Sequence, residues 1–489
     1  MKNYKRIKFL SEKTIYSKMS TIKKIDTLTV PAVENSLALF DLPPTVVSYV
    51  KTFEKELLPL NAITRDGPYH FRIYSDSNFI DLSRTYVQLT ASLEKKSGHH
   101  WVAIAETDDD LHTGVKNNFG LSFIKQLKLT INGIEIYNSG VTYPYYAYIN
   151  RELFTPYNSN IGIQQAACYY SDRDHSADQD EPKSKGFKAR AERFARGNHC
   201  TTYSRLDFDL ANQNRLILSN SDILFSIWSS SDRFLIHKPD YEKNVKTKFT
   251  IPQGADKEPK IEEREETKIV SNATEYRVVI HDIRLFCTLV DVVQSLNNSI
   301  ARQLESTPAK YPMKKVEIRS VFMPAGLQNL TYNCFQSVLP RKILVFFVAT
   351  QAFNGHPELS PFNFEHSEVR TISVESGGQY IPSTPYNLNF DNDEYMRAYM
   401  DFISGLDTNK LELSPLHYTH GWCGYCFDFR SYKRALGDAF ELIKNGATVL
   451  KVNFKEKIGE DGMQVLVWGE FDQVLTMSTD RIVSMDGSI

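Results

Sequence analysis

Apolar and polar residues alternate with a period of two over much of this chain. Tyr69, Phe71 and Ile73 are separated by His70 and Arg72, and Val87, Leu89, Ala91 and Leu93 by Gln88, Thr90 and Ser92. Such alternation sends one set of side chains to one face of a strand, so each run predicts a strand with one buried face. The segment KLTINGIEIY is more specific: Leu129 and Ile131, then Ile134 and Ile136, flank Asn132-Gly133. Asn-Gly readily takes both positive-φ positions of a type I′ turn, which predicts a tight hairpin. Tyr143-Pro144 opens a short helix, with Tyr145, Ile149 and Leu153 at helical spacing and Pro in the tolerated first turn.

Two stretches break the strand pattern. Residues 170–200, including SDRDHSADQDEPKSKGFKARAERFARG, and Ala255–Lys268 are polar, charged and poor in aliphatics. Both read as exposed loops or insertions outside the core. Val293, Leu296, Ile300 and Leu304 then stand at steps of three and four, the spacing of one amphipathic helix. Strand patterning returns at KKVEIRSVF, RKILVFFVA, VRTISVESGGQYI, ATVLKVNF and MQVLVWGEFDQVL. Leu450, Val452 and Phe454 share one face, as do Val465, Val467 and Phe471. Leu436, Phe440 and Ile443 suggest a further helix capped at Asn445-Gly446. The organisation expected is a basic arm over 1–35, a β-rich block over 36–290 with a charged insertion near 170–200, a helical linker over 291–308 and a second β-rich block over 309–489. Many short strands with few helices point to sandwiches or jelly rolls rather than a parallel α/β sheet.

Composition adds little to this except in three respects. A net charge of −2 argues against a protein that coats nucleic acid along its whole length. Lys2, Lys5, Arg6, Lys8, Lys13, Lys18, Lys23 and Lys24 concentrate positive charge in the first 24 residues against Glu12 alone. That arm is either a solvated tail or a contact to DNA, to a membrane or to a neighbouring subunit. Aromatic residues reach 12%, with 29 Phe and 26 Tyr, which suits half-buried sheets and protein interfaces. The N-terminus lacks the apolar stretch of a secretory signal. The longest apolar run, Ile343–Ala349, is far short of the ~20 residues of a membrane helix. Six scattered cysteines fit free thiols in a reducing compartment, so the chain is expected to be soluble and intracellular when made.

The search for chemistry returns no catalytic motif: no P-loop, GxGxxG after a strand, HExxH or GxSxG. Cys423 and Cys426 have the spacing of a redox or zinc pair, and His417 and His420 lie just upstream. These four can form a CysCysHisHis zinc set, but a second CxxC is absent and small residues filling a strand core explain the cysteines more simply. Glu365-His366 and His281-Asp282 lack a neighbouring nucleophile in any recognisable motif. Asp108-Asp109-Asp110 lacks calcium-loop spacing and reads as a solvated loop. Glu470 and Asp472 share a strand face and fit either a glycosidase acid/base pair or, more simply, the exposed face of the final strand. No enzyme, cofactor or small-molecule substrate is expected.

Several blocks in order resemble the major capsid proteins of Polinton/Maverick elements and their adintovirus relatives. They are ITRDGPYHFRIYSDSNFIDLSRTYVQLTASL (Ile63–Leu93), LTINGIEIYNSGVTYPYYAYINREL (Leu129–Leu153) and AKYPMKKVEIRS (Ala309–Ser320). LPRKILVFFVATQAFNGHPELSPFNFEHSEV, GGQYIPSTPYNLNF and YMRAYMDF follow, ending at Phe402, and VLVWGEFDQVLTMSTDR (Val465–Arg481) closes the series. Together they span about residues 35–485. The resemblance implies an all-β double jelly roll: two eight-stranded β-sandwiches side by side, with a few short helices in loops and linker. It further implies a homotrimer of six-fold outline that tiles an icosahedral shell around double-stranded DNA in a virion. A penton or minor capsid protein would close the vertices, and the basic arm would face DNA or an internal membrane. Synthesis would be in the cytoplasm or nucleus of a host cell. Two other readings remain open: a carbohydrate-binding β-sandwich, disfavoured by only four Trp, and a capsid-derived cellular scaffold that no longer makes particles.

Overall fold

The computed structural model describes residues 45–155, 161–172, 184–251, 260–406, 413–431 and 444–485, with residues 36, 39, 42 and 440. Ser48–Ile489 form one compact unit. Its first half begins with β1 (Tyr49–Leu57), β2 (Tyr69–Tyr74), β3 (Phe79–Ser97) and β4 (His100–Ala103). It continues through β5 (Gly114–Val115), β6 (Ile124–Ile131), β7 (Ile134–Asn138), β8 (Cys200–Arg205) and β9 (Asp222–Ser229). β10 (Ile236–His237), β11 (Tyr241–Ile251), β12 (Lys260–Val270) and β13 (Tyr276–Val292) complete it. The second half holds β14 (Ala309–Met323), β15 (Asn329–Phe335), β16 (Lys342–Ala349), β17 (Val369–Ser376) and β18 (Gln379–Ile381). β19 (Tyr425–Asp428), β20 (Thr448–Phe454), β21 (Met463–Met477) and β22 (Val483–Met485) end the fold.

Each half packs a five-stranded sheet on a four-stranded one. The first pairs β1-β13-β3-β4, with β8 also on β3, against β2-β9-β6-β7. The second pairs β14-β21-β16-β19, with β22 also on β21, against β15-β20-β17-β18. β8 and β4 lie end to end along one edge of β3, and β16 and β22 do the same along β21. The two packed sheets of each half thus hold nine strands against the expected eight, and in the first half β5-β10 and β11-β12 form separate two-stranded pairs. Every pairing between these strands is antiparallel, and an end strand of such a sheet offers its outer backbone groups for further pairing.

The alternating runs sit as their pattern requires. Tyr69, Phe71 and Ile73 are fully buried, while Arg72 and Tyr74 face solvent. Val87, Leu89, Ala91 and Leu93 lie in the same core. At the hairpin, Ile131 pairs with Ile134, and Asn132 and Gly133 have φ of 50° and 83°. The linker helix forms at Gln294–Leu304, although only Leu304 is buried and Leu296 remains exposed.

Three loop expectations are corrected. Within 170–200, residues 184–200 are not an excursion: Lys185–Phe194 is a helix capped by the Ser184 hydroxyl, with Phe187, Arg190, Ala191 and Phe194 buried. Its polarity misleads because Lys185, Lys188 and Glu192 lie on the exposed face, while Arg190 is buried in an ion pair with Asp172. Within Ala255–Lys268, the described residues 260–268 belong to β12, whose register on β11 sets Lys246 opposite Glu265 and Lys248 opposite Glu263. The two strands pair with each other as a two-stranded sheet separate from the two sandwiches. Asp110 is buried rather than solvated, held by Lys95, the Ala105 N–H and the Tyr276 hydroxyl. Burial pushes its pKa up, but those donors and Thr107 outweigh it and leave the carboxyl below its usual range. The helix expected around Leu436–Ile443 lies, except for the exposed Phe440, outside the described residues.

Candidate functional site

The two sandwiches meet along a buried seam. β16 and β21 are buried on both faces: Lys342–Val348 without a break, and Val465–Phe471 likewise. One face of β21, with Val465, Val467 and Phe471, fills its own sandwich. The other presents Leu466, Trp468 and Glu470 towards neighbouring elements. Opposite Trp468 lies the Tyr143–Ile149 helix and its extension to Phe154. Tyr146 stacks on Trp468 at 5.4 Å between centroids and 10° between planes, and Phe154 packs on it at 6.1 Å. Tyr148 stacks on Phe362 at 4.2 Å, and Tyr145 on Phe353 at 5.4 Å. The YPYYAYI motif therefore works as an aromatic wedge: successive tyrosines reach different elements of the second sandwich, which explains part of the high aromatic content.

Polar groups fix the wedge in register. Tyr146 donates its hydroxyl to Asp209 at 3.1 Å, and the Asp209 carboxylate also accepts the Val316 N–H of β14 at 3.2 Å. Buried Lys116 of the first sandwich donates to the Leu359 carbonyl of the second at 2.7 Å and contacts His237. Asn132, at the predicted hairpin turn, donates to the Arg481 carbonyl at 2.8 Å, and Arg481 donates back to Ser219 at 2.6 Å. A buried polar group without a partner is costly, so these bonds set one arrangement of the halves rather than many.

Glu470 and Asp472 belong to this seam, which corrects their expected exposure. Asp472 accepts two hydrogen bonds from Arg341 at 2.6 and 2.8 Å. Glu470 lies 3.5 Å from Arg341, 3.4 Å from Lys342 and 3.7 Å from Lys314. Three cations surround the two carboxylates, a network that holds strands together and does not resemble a catalytic acid/base pair. They border a cavity of about 680 Å³ that Tyr146, Phe154 and Trp468 also line.

The other sequence candidates are dispersed. Cys423 is buried against the Tyr418 and Tyr425 hydroxyls, and Cys426 lies against Gly405. His417 Nδ1 pairs with Ser414 and His420 Nδ1 with the Leu416 carbonyl. Among the described residues no group of three or more His, Cys, Asp or Glu is placed to hold a metal. His281 does meet a hydroxyl, Ser92 Oγ at 2.8 Å, but its ring stacks on His199 and Asp282 pairs with Arg284. His366 stacks on Phe390. The eight cations of the N-terminal arm lie outside the described residues.

Outside the seam, β1 is an exposed sheet edge. Among the described residues it pairs with β13 on one side only, and eight of its nine residues are exposed, Tyr49, Val50 and Phe53 among them. Its start is tied to the helix Gln294–Leu304 through the Val293 N–H and Ser48 carbonyl, 3.1 Å apart. An unpaired strand edge beside apolar side chains is a ready surface for another chain. Sequence reading missed this surface because β1 carries no alternating core pattern. Exposure on both faces is itself its signature.

Comparison with known proteins bears on the whole architecture. A chain in the cryo-EM structure of the Sputnik virophage superposes with a TM-score of 0.58, covering 95% of this chain and 94% of that one at 11% identity. The major capsid protein of Faustovirus gives 0.57, covering 95% and 96% at 8% identity. The fold is a double jelly roll. In sequence, the chain is 25% identical over 444 residues to the uncharacterized protein F54H12.2 of Caenorhabditis elegans, covering 88% of this chain and 96% of that protein. No protein-family model matches. Among the described residues, no helix of the double jelly roll is long and apolar enough to cross a membrane.

Proposed function

We propose that this chain is the major capsid subunit of a virus or virus-like element, a structural protein whose trimers of six-fold outline tile an icosahedral shell around double-stranded DNA. The observation that carries the reading is the extent of the structural correspondence. A major capsid protein and this chain match over 95% or more of each other, so the double jelly roll accounts for nearly all of both. The order of sequence blocks resembling Polinton/Maverick capsid proteins points the same way.

The surfaces suit association. Trimer formation would cover open edges such as β1, whose outer side pairs with no strand among the described residues. The rolls are assigned to residues 36–290 and 309–489, with 291–308 as linker. The arm bearing Lys2, Lys5, Arg6, Lys8, Lys13, Lys18, Lys23 and Lys24 would face inward, towards DNA or an internal membrane, and a penton or minor capsid protein would fill the vertices. The subunit would be made in the cytoplasm or nucleus and end in the virion shell.

Light scattering on the purified protein, followed by negative-stain microscopy, tests the proposal. Hexagonal trimers near three times 56.1 kDa, or closed particles, are expected. A monomer that persists at high concentration and across salt conditions would overturn it and favour a cellular scaffold that has lost assembly.

A further inference from the structure

Cys168 and Cys200 lie away from the seam residues described above, in the core of the first sandwich. The helix Ile161–Ala166 ends in a Schellman arrangement, in which the Cys168 N–H donates to the Gln165 carbonyl at 3.0 Å and the Tyr169 N–H to the Gln164 carbonyl at 3.1 Å. Cys168 takes φ of 55° there, a conformation in which a Cβ is strained and glycine is favoured. A thiol is present in spite of that strain. Cys200 opens β8, opposite Ala91 of β3. The two side chains meet: Cys168 donates its S–H to the Cys200 sulfur, and both residues are buried.

Arg193, from the Lys185–Phe194 helix, joins the two cysteine-bearing segments. Its guanidinium donates to the Gln165 carbonyl and to the Thr201 carbonyl, each at 2.8 Å, and sits near both sulfurs. A cation and a thiol donor are the surroundings that favour a thiolate. The Cys168 hydrogen bond draws the Cys200 thiol below its usual range; burial opposes this and Arg193 assists it. Cys287, Cys334 and Cys423, by contrast, are pushed up to about 12 by burial. His199 and Thr201, on either side of Cys200, are exposed, so the strand end lies close to solvent.

We infer that Cys168 and Cys200 are a reversible redox pair that closes to an intramolecular disulfide when the protein meets a peroxide. The Cys200 thiolate attacks one peroxide oxygen, breaking the O–O bond and leaving a sulfenic acid and one water. The Cys168 sulfur then displaces the sulfenic oxygen as a second water, so the two thiols together give up two electrons and two protons. The new bond closes the 168–200 segment, which carries the Lys185–Phe194 helix, and restricts the unfolded chain.

The test uses the full-length protein, treated with a small molar excess of hydrogen peroxide, then denatured and alkylated before peptide mass spectrometry. Expected are loss of two of the six alkylatable thiols, a peptide pair joining Cys168 to Cys200 and full reversal by dithiothreitol. The melting temperature should rise by about 2–5 °C on oxidation, in the parent and in Cys334→Ser but not in Cys200→Ser. Six thiols still alkylatable, a bridge to a different cysteine, or Cys200 oxidised without bridging would each overturn the inference. The parent protein alone decides the outcome if Cys200→Ser does not fold, and the result is independent of whether the chain assembles.

Discussion

Asp209 offers a quantitative handle on the seam. Burial pushes its carboxyl up to about 7, against opposing hydrogen bonds from the Val316 N–H and Tyr146 hydroxyl and the nearby Lys315. An unfolded aspartate titrates near pH 3.9, so between about pH 4 and 7 the folded chain holds a proton that the unfolded chain has released. That proton's contribution to stability is complete below about pH 4 and declines as the pH rises through 7. Three pKa units correspond to about 4 kcal/mol in total. Asp209→Asn retains an acceptor for Val316 and a partner for Tyr146 but cannot ionise. The stability of the variant relative to the parent should therefore grow by about 2–3 kcal/mol between pH 5 and pH 8, whatever its absolute value. Urea denaturation followed by tryptophan fluorescence measures this, since Trp468 stacks on Tyr146 beside the carboxylate. Parallel stability curves for parent and variant across that range would refute the reasoning.

Three other substitutions probe separate elements. Trp468→Ala removes the ring on which Tyr146 and Phe154 pack and should cost about 3–5 kcal/mol, read from the urea midpoint. Arg190→Ala strands Asp172, whose ion pair with Arg190 at 3.0 Å is 0% exposed on both sides. A loss of about 3–5 kcal/mol is expected, and adding Asp172→Asn should recover part of it. Val50→Lys combined with Phe53→Lys on exposed β1 should leave the melting temperature nearly unchanged yet shift light scattering towards monomer; unaltered assembly would remove β1 from the interface.

The sandwich cores were legible because burial on one face imposes a two-residue period, as at Tyr69, Phe71 and Ile73. The hairpin was legible because Asn132-Gly133 encodes its own turn. The Lys185–Phe194 helix was hidden by composition, although Phe187, Ala191 and Phe194 stand at helical spacing behind the Ser184 cap. Glu470 and Asp472 were misread for a different reason. Alternation implies an exposed face only when nothing covers the sheet, and here a second sandwich covers it while Arg341, Lys342 and Lys314 neutralise the carboxylates. The continuous apolar run Ile343–Val348 was the available sign that this strand has no solvent side. The Cys168–Cys200 contact joins residues distant in sequence and left no local pattern.

The double-sided burial of β16 and β21 also bears on how the chain reaches its native state. A duplicated architecture invites the expectation of two autonomous folding units, each able to form while the other is still disordered. Here a solitary C-terminal roll would bare Trp468 together with the buried charges of Arg341 and Glu470, and a solitary N-terminal roll would leave Tyr145, Tyr146 and Tyr148 without their partners. Each fragment would carry a sticky, partly charged surface fitted only to its sibling. The pair should accordingly melt in a single cooperative step, and neither roll should be recoverable in soluble form when expressed alone.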